Sequence, residues 1–323
     1  MEGIYKTKLS AEQLNAAVRQ AFGQSLTKYS ELTDGWANSA YAITLSDGER
    51  VVLKARPANN VRSMRCEPET MKTEVEVLRL LSGLEGFPVP KLRAHDDTLK
   101  LLPVEYFIMD YVEGDPYVKV KDSLPPETRA GIEEQLGRLT RAMNSFAGKR
   151  FGYFPDSAGK HDSWRAAFSE MIMGVLMDGE EAGIALPVPY EELREAIGSR
   201  LHVLDEVTVP QLVHWDLWDG NFFVKDGVIT GIVDFERARW GDPIMEMYFG
   251  KFVDSEAHSR GYGLSLSEPS QIARRKLYDL YLDLILDIEC VFRKYENEGH
   301  VRWARDNLKD GIRSFLESHP ARY

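Results

Sequence analysis

One stretch constrains this chain more than any other. It reads His214-Trp215-Asp216-Leu217-Trp218-Asp219-Gly220-Asn221, then an apolar run, then Asp226-Gly227, then a second apolar run that ends in Val233-Asp234-Phe235-Glu236. Asp-Gly between two apolar runs supplies the positive φ angles of a tight β-hairpin turn. A hairpin sets the residue before its first strand beside the residue after its second, so Asn221 and Asp234 converge at one end. An amide carbonyl and a carboxylate are hard oxygen donors, suited to Mg2+ that keeps several waters and takes further oxygens from phosphates. Asp216, five residues before Asn221, is placed to accept a proton from an attacking hydroxyl beside that metal site. Taken singly, Asp216 or Asp219 reads as a surface-loop side chain. The whole set, at this spacing around one hairpin, points to phosphoryl transfer.

The rest of the chain organises around this β island at 212–235. Ser10-Ala11-Glu12-Gln13 reads as a capping box, with Leu14, Val18 and Phe22 on one helix face and Gly23 as the stop. Strand periods follow at 29–33, 41–45 and 51–56, separated by Asp34-Gly35-Trp36-Ala37-Asn38-Ser39 and by Ser46-Asp47-Gly48, which gives an antiparallel meander. Helical spacing returns at 69–82, then two more strand-like runs at 91–95 and 104–109. Asp110-Tyr111-Val112-Glu113-Gly114-Asp115-Pro116 then breaks the pattern. Beyond that break the chain reads as mostly helical, at 127–146, 163–177, 190–204, 271–295 and 303–316. The expected architecture is α+β, with a small antiparallel-sheet lobe at 1–109, a hinge at 110–116 and a larger helical lobe at 117–323.

Lys54 closes the apolar strand Val51-Val52-Leu53, where its ammonium reaches toward nucleotide phosphates. Glu74 shares a helix face with Met71 and Leu78, an expensive place for an unpaired carboxylate, and pairing with Lys54 removes that cost. A solvent-facing Glu74, or a pair through Glu76, is the competing reading. Composition narrows the partners. Lys and Arg total 40 against 51 Asp and Glu, a net charge of −11, which argues against a broad nucleic-acid surface. No apolar window approaches a bilayer span, and the N-terminal residues lack the apolar core of a signal peptide. Two cysteines, Cys66 and Cys290, make neither a disulfide framework nor a Cys-based zinc site, so a cytoplasmic location is expected, with no membrane, no nucleic acid and no obligate protein partner.

The chain resembles the aminoglycoside phosphotransferases and their small-molecule kinase relatives, which share the protein-kinase-like fold. The matching stretches are Val52-Leu53-Lys54, the helix segment around Glu74, Phe87-Pro88-Val89-Pro90, Phe107-Ile108-Met109-Asp110-Tyr111-Val112-Glu113-Gly114, the 214–221 loop, Ile232-Val233-Asp234-Phe235-Glu236 and Trp240-Gly241-Asp242-Pro243. The glycine-dense nucleotide loop and the activation segment of protein kinases are not found. The resemblance implies Asp216 as catalytic base, Asn221 and Asp234 as Mg2+ ligands, and Lys54 with Glu74 as nucleotide-positioning residues. It implies adenine held by backbone groups of Asp110 to Val112, and phosphates approached by Asn38 and Ser39. ATP or GTP would be the co-substrate, and a small-molecule alcohol the acceptor. Trp215 stands where many relatives have glycine, filling space near the acceptor or in the core beneath it. Glu236 stands where protein kinases have glycine, either as an extra metal-shell oxygen or as the partner of an arginine. His214 reads as a structural hydrogen-bonder.

Family members meet amine-bearing acceptors with carboxylates in the helical lobe. Asp279, Asp283 and Asp287 recur at i, i+4, i+8 beside Tyr278, Tyr281, Ile285 and Ile288, a spacing at which like charges repel unless a cation relieves them. That is a motive for an amine-binding stripe, and a solvated face is the alternative. Asp178, Glu180 and Glu181 read as a surface loop containing Gly179. The leading expectation is phosphorylation of an aminoglycoside-type antibiotic. Choline, fructosamine, a macrolide, a nucleoside antibiotic or an amino alcohol remain as other acceptors, and a nucleotide-binding pseudokinase as the other class.

Overall fold

The computed structural model describes residues 7–33, 38–57, 63–67, 69–155 and 160–318. The turn residues 34–37 lie outside them. Helix α1 (Ala11–Phe22) begins as its capping box dictates: the Gln13 N–H donates to the Ser10 hydroxyl and the Ser10 N–H to the Gln13 side chain, and Gly23 ends the helix at φ 67°. Strands β1 (Leu26–Leu32), β2 (Ser39–Leu45), β3 (Arg50–Ala55), β4 (Leu92–Asp96) and β5 (Tyr106–Asp110) form an antiparallel sheet in the order β1-β2-β3-β5-β4. β1 begins three residues before the expected strand. It is an edge strand exposed along nearly its whole length, so burial leaves no alternating pattern in its sequence.

Strand β3 is buried on both faces. Val51, Leu53 and Ala55 pack with Tyr41, Ile43 and Ile108 against Leu14, Ala17 and Val18 of α1. The alternate residue Val52, with Phe107 and Met109, faces α2 (Thr70–Leu81) and its Met71, Val75 and Leu78. That second core also holds Leu217, Phe222, Ile232 and Phe235 of the larger lobe, so the two lobes share it. At about 1.5–3 kcal/mol per fully buried large apolar side chain, the shared core contributes substantially to holding them together.

From β5 the chain crosses through residues 111–114 to β6 (Asp115–Pro116), then α3 (Tyr117–Val120) and α4 (Pro126–Asn144). After them come β7 (Gly152–Tyr153), α5 (Trp164–Glu181), α6 (Tyr190–Gly198) and β8 (Gln211–Val213). The expected hairpin follows as β9 (Phe222–Lys225) and β10 (Val228–Ile232), with β6 paired on the outer side of β9. Gly114 is required at this crossing: it has φ +116°, and a Cβ there would come 2.6 Å from the Val224 carbonyl oxygen. Val112 fills the space over Gly231, where a Cβ would meet its methyl at 2.4 Å. β11 (Arg239–Gly241), α7 (Glu256–Tyr262), α8 (Pro269–Phe292) and α9 (Glu298–Glu317) complete the larger lobe, whose core centres on Trp164, Phe168, Ile172, Tyr278, Tyr281 and Ile285.

Three expectations are corrected. The helix expected at 190–204 ends at Gly198, and a separate 3-10 turn runs Leu201–Glu206. Asp178, Glu180 and Glu181 are not loop residues: α5 runs through them, and Asp178 is buried. Gly179 breaks nothing, because it is there for close packing; a Cβ would meet the Tyr190 hydroxyl at 2.6 Å and Ile288 at 2.8 Å. The larger lobe also holds a second small sheet, β7-β11-β8, which strands of two or three residues are too short to announce. Among the described residues no helix is long and apolar enough to cross a membrane.

Candidate active site

Alternation along β3 puts Lys54 on the face toward α2. Its ammonium lies 2.6 Å from Glu74 Oε1 and 2.6 Å from Asp234 Oδ1. Glu74, rather than Glu76, is therefore the helix partner, and it is fully buried. Burial alone would neutralise the ammonium, but Asp234 and Glu74 outweigh it and raise its pKa. Burial likewise pushes the Asp234 carboxyl upward, and Lys54 outweighs that too, holding it below the usual carboxylate range. Lys54 and Asp234 thus form an ion pair across the cleft. Glu74 keeps a raised pKa, because burial exceeds what the shared lysine returns.

The loop before β9 is held from beneath. One oxygen of the buried Glu246 carboxylate accepts the His214 N–H at 2.8 Å and the other accepts the Trp215 N–H at 3.0 Å, while Asn144 donates at 3.2 Å. Trp215 adopts φ +66°, a left-handed backbone that favours glycine, and the Glu246 bonds hold it there. The His214 ring donates from Nε2 to the Val233 carbonyl at 2.9 Å and packs on Phe235; burial pushes its pKa down to about 4, so the ring is neutral. It is the strut that joins this loop to the strand leading into Asp234. The Asn221 side-chain amide N–H donates to the Asp216 backbone carbonyl at 2.9 Å, and the Val233 N–H donates to the Asn221 backbone carbonyl at 2.9 Å, which leaves the Asn221 side-chain oxygen for other partners. These bonds tie Asp216, Asn221 and the approach to Asp234 into one end of the hairpin.

Among the described residues the Asp216 carboxylate accepts no hydrogen bond. Burial raises its pKa to about 7; Arg237 opposes the rise, and Asp234 and Glu236 add to it. A carboxylate poised near neutrality is suited to take a proton from a hydroxyl. Asp219 is structural, accepting from Lys121 and, at 2.5 Å, from the Tyr248 hydroxyl.

Carboxylate oxygens of Glu74, Asp234 and Glu236 lie within 4.8 Å of one another. Glu74 is fully buried whereas the Asp234 side chain is 35% exposed, which leaves Asp234 and Glu236 as the more accessible hard oxygens. Such donors, with the Asn221 carbonyl carried on the same hairpin end, fit Mg2+. Asn38 donates to Glu236 at 2.7 Å; among the described residues no arginine ion-pairs with Glu236, although Arg293 and Arg237 lie within electrostatic reach. Ser39 is buried with its hydroxyl unpartnered. The Asp110 side chain accepts from Arg93 at 2.7 Å, and its N–H donates to the Lys91 carbonyl.

The acidic stripe on α8 departs from both of its expected roles. Asp279 accepts from Arg275 at 2.8 Å. Asp283 is wholly buried between Lys251 at 2.7 Å and Asn307 at 2.6 Å, and Asp287 is buried against Arg305 at 2.7 Å. Gly311 permits the approach of α9, since a Cβ there would lie 2.0 Å from Asp283. The i, i+4 repulsion is relieved by the chain's own cations, on a face that is neither open nor solvated. Asp283→Ala is therefore expected to destabilise the fold by about 1–3 kcal/mol, the cost of leaving the Asn307 amide without its acceptor, since Lys251 keeps contact with solvent. Urea denaturation checks this, with nucleotide affinity unchanged. Trp215 is likewise core, 5.4 Å from the Tyr281 ring and stacked under the Arg239 guanidinium at 4.1 Å. Tyr278 is held by Trp164 and Asp242, both at 2.7 Å.

Sequence reasoning missed Glu246, although its signal matched that of Glu74: a carboxylate set between Met245 and Met247 in an apolar run. It also missed Arg237, which ion-pairs with Glu289 at 2.7 Å.

Comparison with known proteins bears on the fold. A thermostable mutant of the aminoglycoside phosphotransferase APH(4)-Ia superposes with a TM-score of 0.68 at 17% identity, over 96% of this chain and 100% of that one. A ternary complex of such a mutant with AMP-PNP and hygromycin B gives 0.65 at 18% identity, covering 95% and 99%. A protein of Thermobifida fusca YX-ER1 assigned as a fructosamine-3-kinase gives 0.67 at 20% identity, covering 94% and 99%. One curated relative, the altered inheritance of mitochondria protein 9 of Debaryomyces hansenii, is 28% identical over 40% of this chain, and the match spans only 22% of that protein's length. The phosphotransferase enzyme family matches residues 28–250, more than half of the chain, and the chain belongs to that family.

Proposed function

We propose that this phosphotransferase moves the γ-phosphate of ATP or GTP to a hydroxyl of a small molecule, with an aminoglycoside-type antibiotic as the leading acceptor. The carrying observation is Lys54, which bridges buried Glu74 and cleft-facing Asp234 at the hairpin end that also bears Asp216 and Asn221. Asp216 takes the acceptor proton. Lys54, oriented by Glu74, positions the nucleotide phosphates, with Asn38 and Ser39 on the phosphate side and backbone groups of Asp110 to Val112 at adenine. Asn221 and Asp234 hold Mg2+, with Glu236 in reach. When bound, that ion neutralises phosphate charge. The lobes divide as 1–109 and 117–323 about a hinge at 110–116, and the location is cytoplasmic. Support for the acceptor class comes from the hygromycin B and fructosamine-3-kinase neighbours and not from the α8 aspartates, which are internally paired.

Thermal unfolding with ATP and GTP, with and without Mg2+, followed by antibiotics and small alcohols in the presence of Mg·nucleotide, tests this. A ligand at a hundred times its Kd stabilises by about 2.7 kcal/mol. Asp234→Ala is expected to remove the Mg2+-dependent part of the nucleotide shift. Absence of any nucleotide shift together with absence of turnover would sink the proposal.

A further inference from the structure

Between β3 and α2 the described residues 63–67 leave the small lobe that carries them. Met64 and Cys66 are 3% and 7% exposed, and both are built into the core of the larger lobe, among residues of α5 and α8. Between these two anchors, the Arg65 N–H donates to the buried Asp178 carboxylate at 2.7 Å, and its guanidinium reaches Asp178 and Glu181. Glu67 follows. Its side chain is 11% exposed and is shared by Arg293 and, at 3.3 Å, by Arg237. Arg237 closes the 3-10 turn that begins one residue after Asp234, and its guanidinium also faces Glu289 at 2.7 Å and the Trp215 ring at 5.6 Å. Glu67, Arg237, Glu289 and Arg293 thus join three segments: the β3–α2 connection, the turn after Asp234, and the end of α8.

We infer that residues 63–67 are a strap fastening the small lobe to the larger one, and that Glu67 on it is a positioning residue for the reaction, acting through Arg237. The second half rests on the roles proposed above for Asp216 and Asp234. The hinge is a covalent link about which the small lobe can rotate; the strap is a second, non-covalent one. Opening draws Glu67 off two largely buried arginines, Arg237 and Arg293, whose ion-pair partner among the described residues is then Glu289, which leaves the cluster one negative charge short. The turn carrying Asp234 then loses a side-chain anchor on the strap side. In the arrangement described the strap is seated, and any rotation that opens the lobes must release it.

Cys66 supplies a native reporter. Buried in the larger lobe, its thiol has a pKa raised by desolvation and is inert while the strap is seated. Cys290 is the other cysteine, so Cys290→Ala leaves Cys66 as the single thiol. In that background, Glu67→Gln is expected to speed modification of Cys66 by a disulfide reagent under native conditions by at least about tenfold, as loss of a buried ion-pair partner raises the open population. Arg65→Ala, which releases the other anchor, is expected to act in the same direction and serves if Glu67→Gln does not fold. Turnover of Mg·ATP is the second arm. Glu67→Gln is expected to lower kcat with little change in KM, and Glu67→Asp, which keeps the charge, to recover part of it. Unchanged Cys66 rates in both variants would overturn the strap. Faster labelling with unaltered kcat would overturn the positioning role and leave the strap standing. If the wild type neither binds nor turns over Mg·ATP, the proposed function fails, and the Cys66 rates still decide the strap.

Discussion

Asp216→Ala is expected to reduce phosphoryl transfer by on the order of a hundred- to ten-thousandfold, the range for loss of a general base, while Mg·nucleotide binding survives. The separation follows from placement: Lys54, Asp234 and Glu236 gather on one side, and the Asp216 carboxylate accepts no hydrogen bond from them among the described residues. The variant leaves no orphaned partner, so its fold should be intact. The pH dependence has a definite sign. With its pKa raised by burial from 3.8 to about 7, Asp216 must be ionised to act, so kcat/KM should climb with pH through about 7. Stability moves the opposite way. Between the ordinary value and 7 the folded state holds a proton that the unfolded chain has released, so the wild type should lose stability relative to Asp216→Ala as pH rises across that interval. Steady-state rates, nucleotide titrations and denaturation at several pH values read these effects. Equal losses of affinity and rate would contradict the assignment.

Glu246→Gln is expected to be nearly as damaging, by a different route. The two carboxylate oxygens each accept a buried backbone N–H, from His214 and from Trp215. Glutamine keeps the shape but points an NH2 at one of them, setting donor against donor. A buried unsatisfied group costs about 1–3 kcal/mol, and here the loss falls where Trp215 is already held at φ +66°. The loop should relax toward an unstrained backbone and carry Asp216 with it. We expect a stability loss of about 2–3 kcal/mol by urea denaturation, and a fall in kcat beyond any change in nucleotide KM. A variant that unfolds earlier yet turns over normally would limit Glu246 to a structural part.

Local physics made much of the site legible. Lys54 and Glu74 follow from strand alternation and from the cost of a lone carboxylate on an apolar helix face. Asn221 and Asp234 follow from a turn dipeptide at the right distance from each. Interactions whose partners lie far along the chain escaped this kind of reading. Asp283 and Asp287 repeat at helical spacing, which says that they repel one another but not that Lys251, Asn307 and Arg305 arrive from other segments to relieve them. Asp178, Glu180 and Glu181 read as a loop around Gly179 because sequence cannot show the Tyr190 hydroxyl pressing on that helical turn. Residues 63–67 carry no period at all, since their anchors are single side chains inserted into another lobe's core. The fold class was legible because the strand runs of the meander cluster before residue 110 and the long helical runs after it. The small sheet of β7, β11 and β8 was not, because strands of two or three residues have no period to detect.

The contact between Val112 and Gly231 has a consequence for how this enzyme can change over time. Gly231 sits on the strand that ends next to Asp234, and Val112 lies in the segment that joins the lobes. The hairpin therefore works as a gauge block, with one face registering the interlobe segment and one end registering Asn221 and Asp234. A methyl group added at 231 would displace both readings together, so the two positions should tolerate exchange only as a pair, a larger residue at 231 with a smaller one at 112.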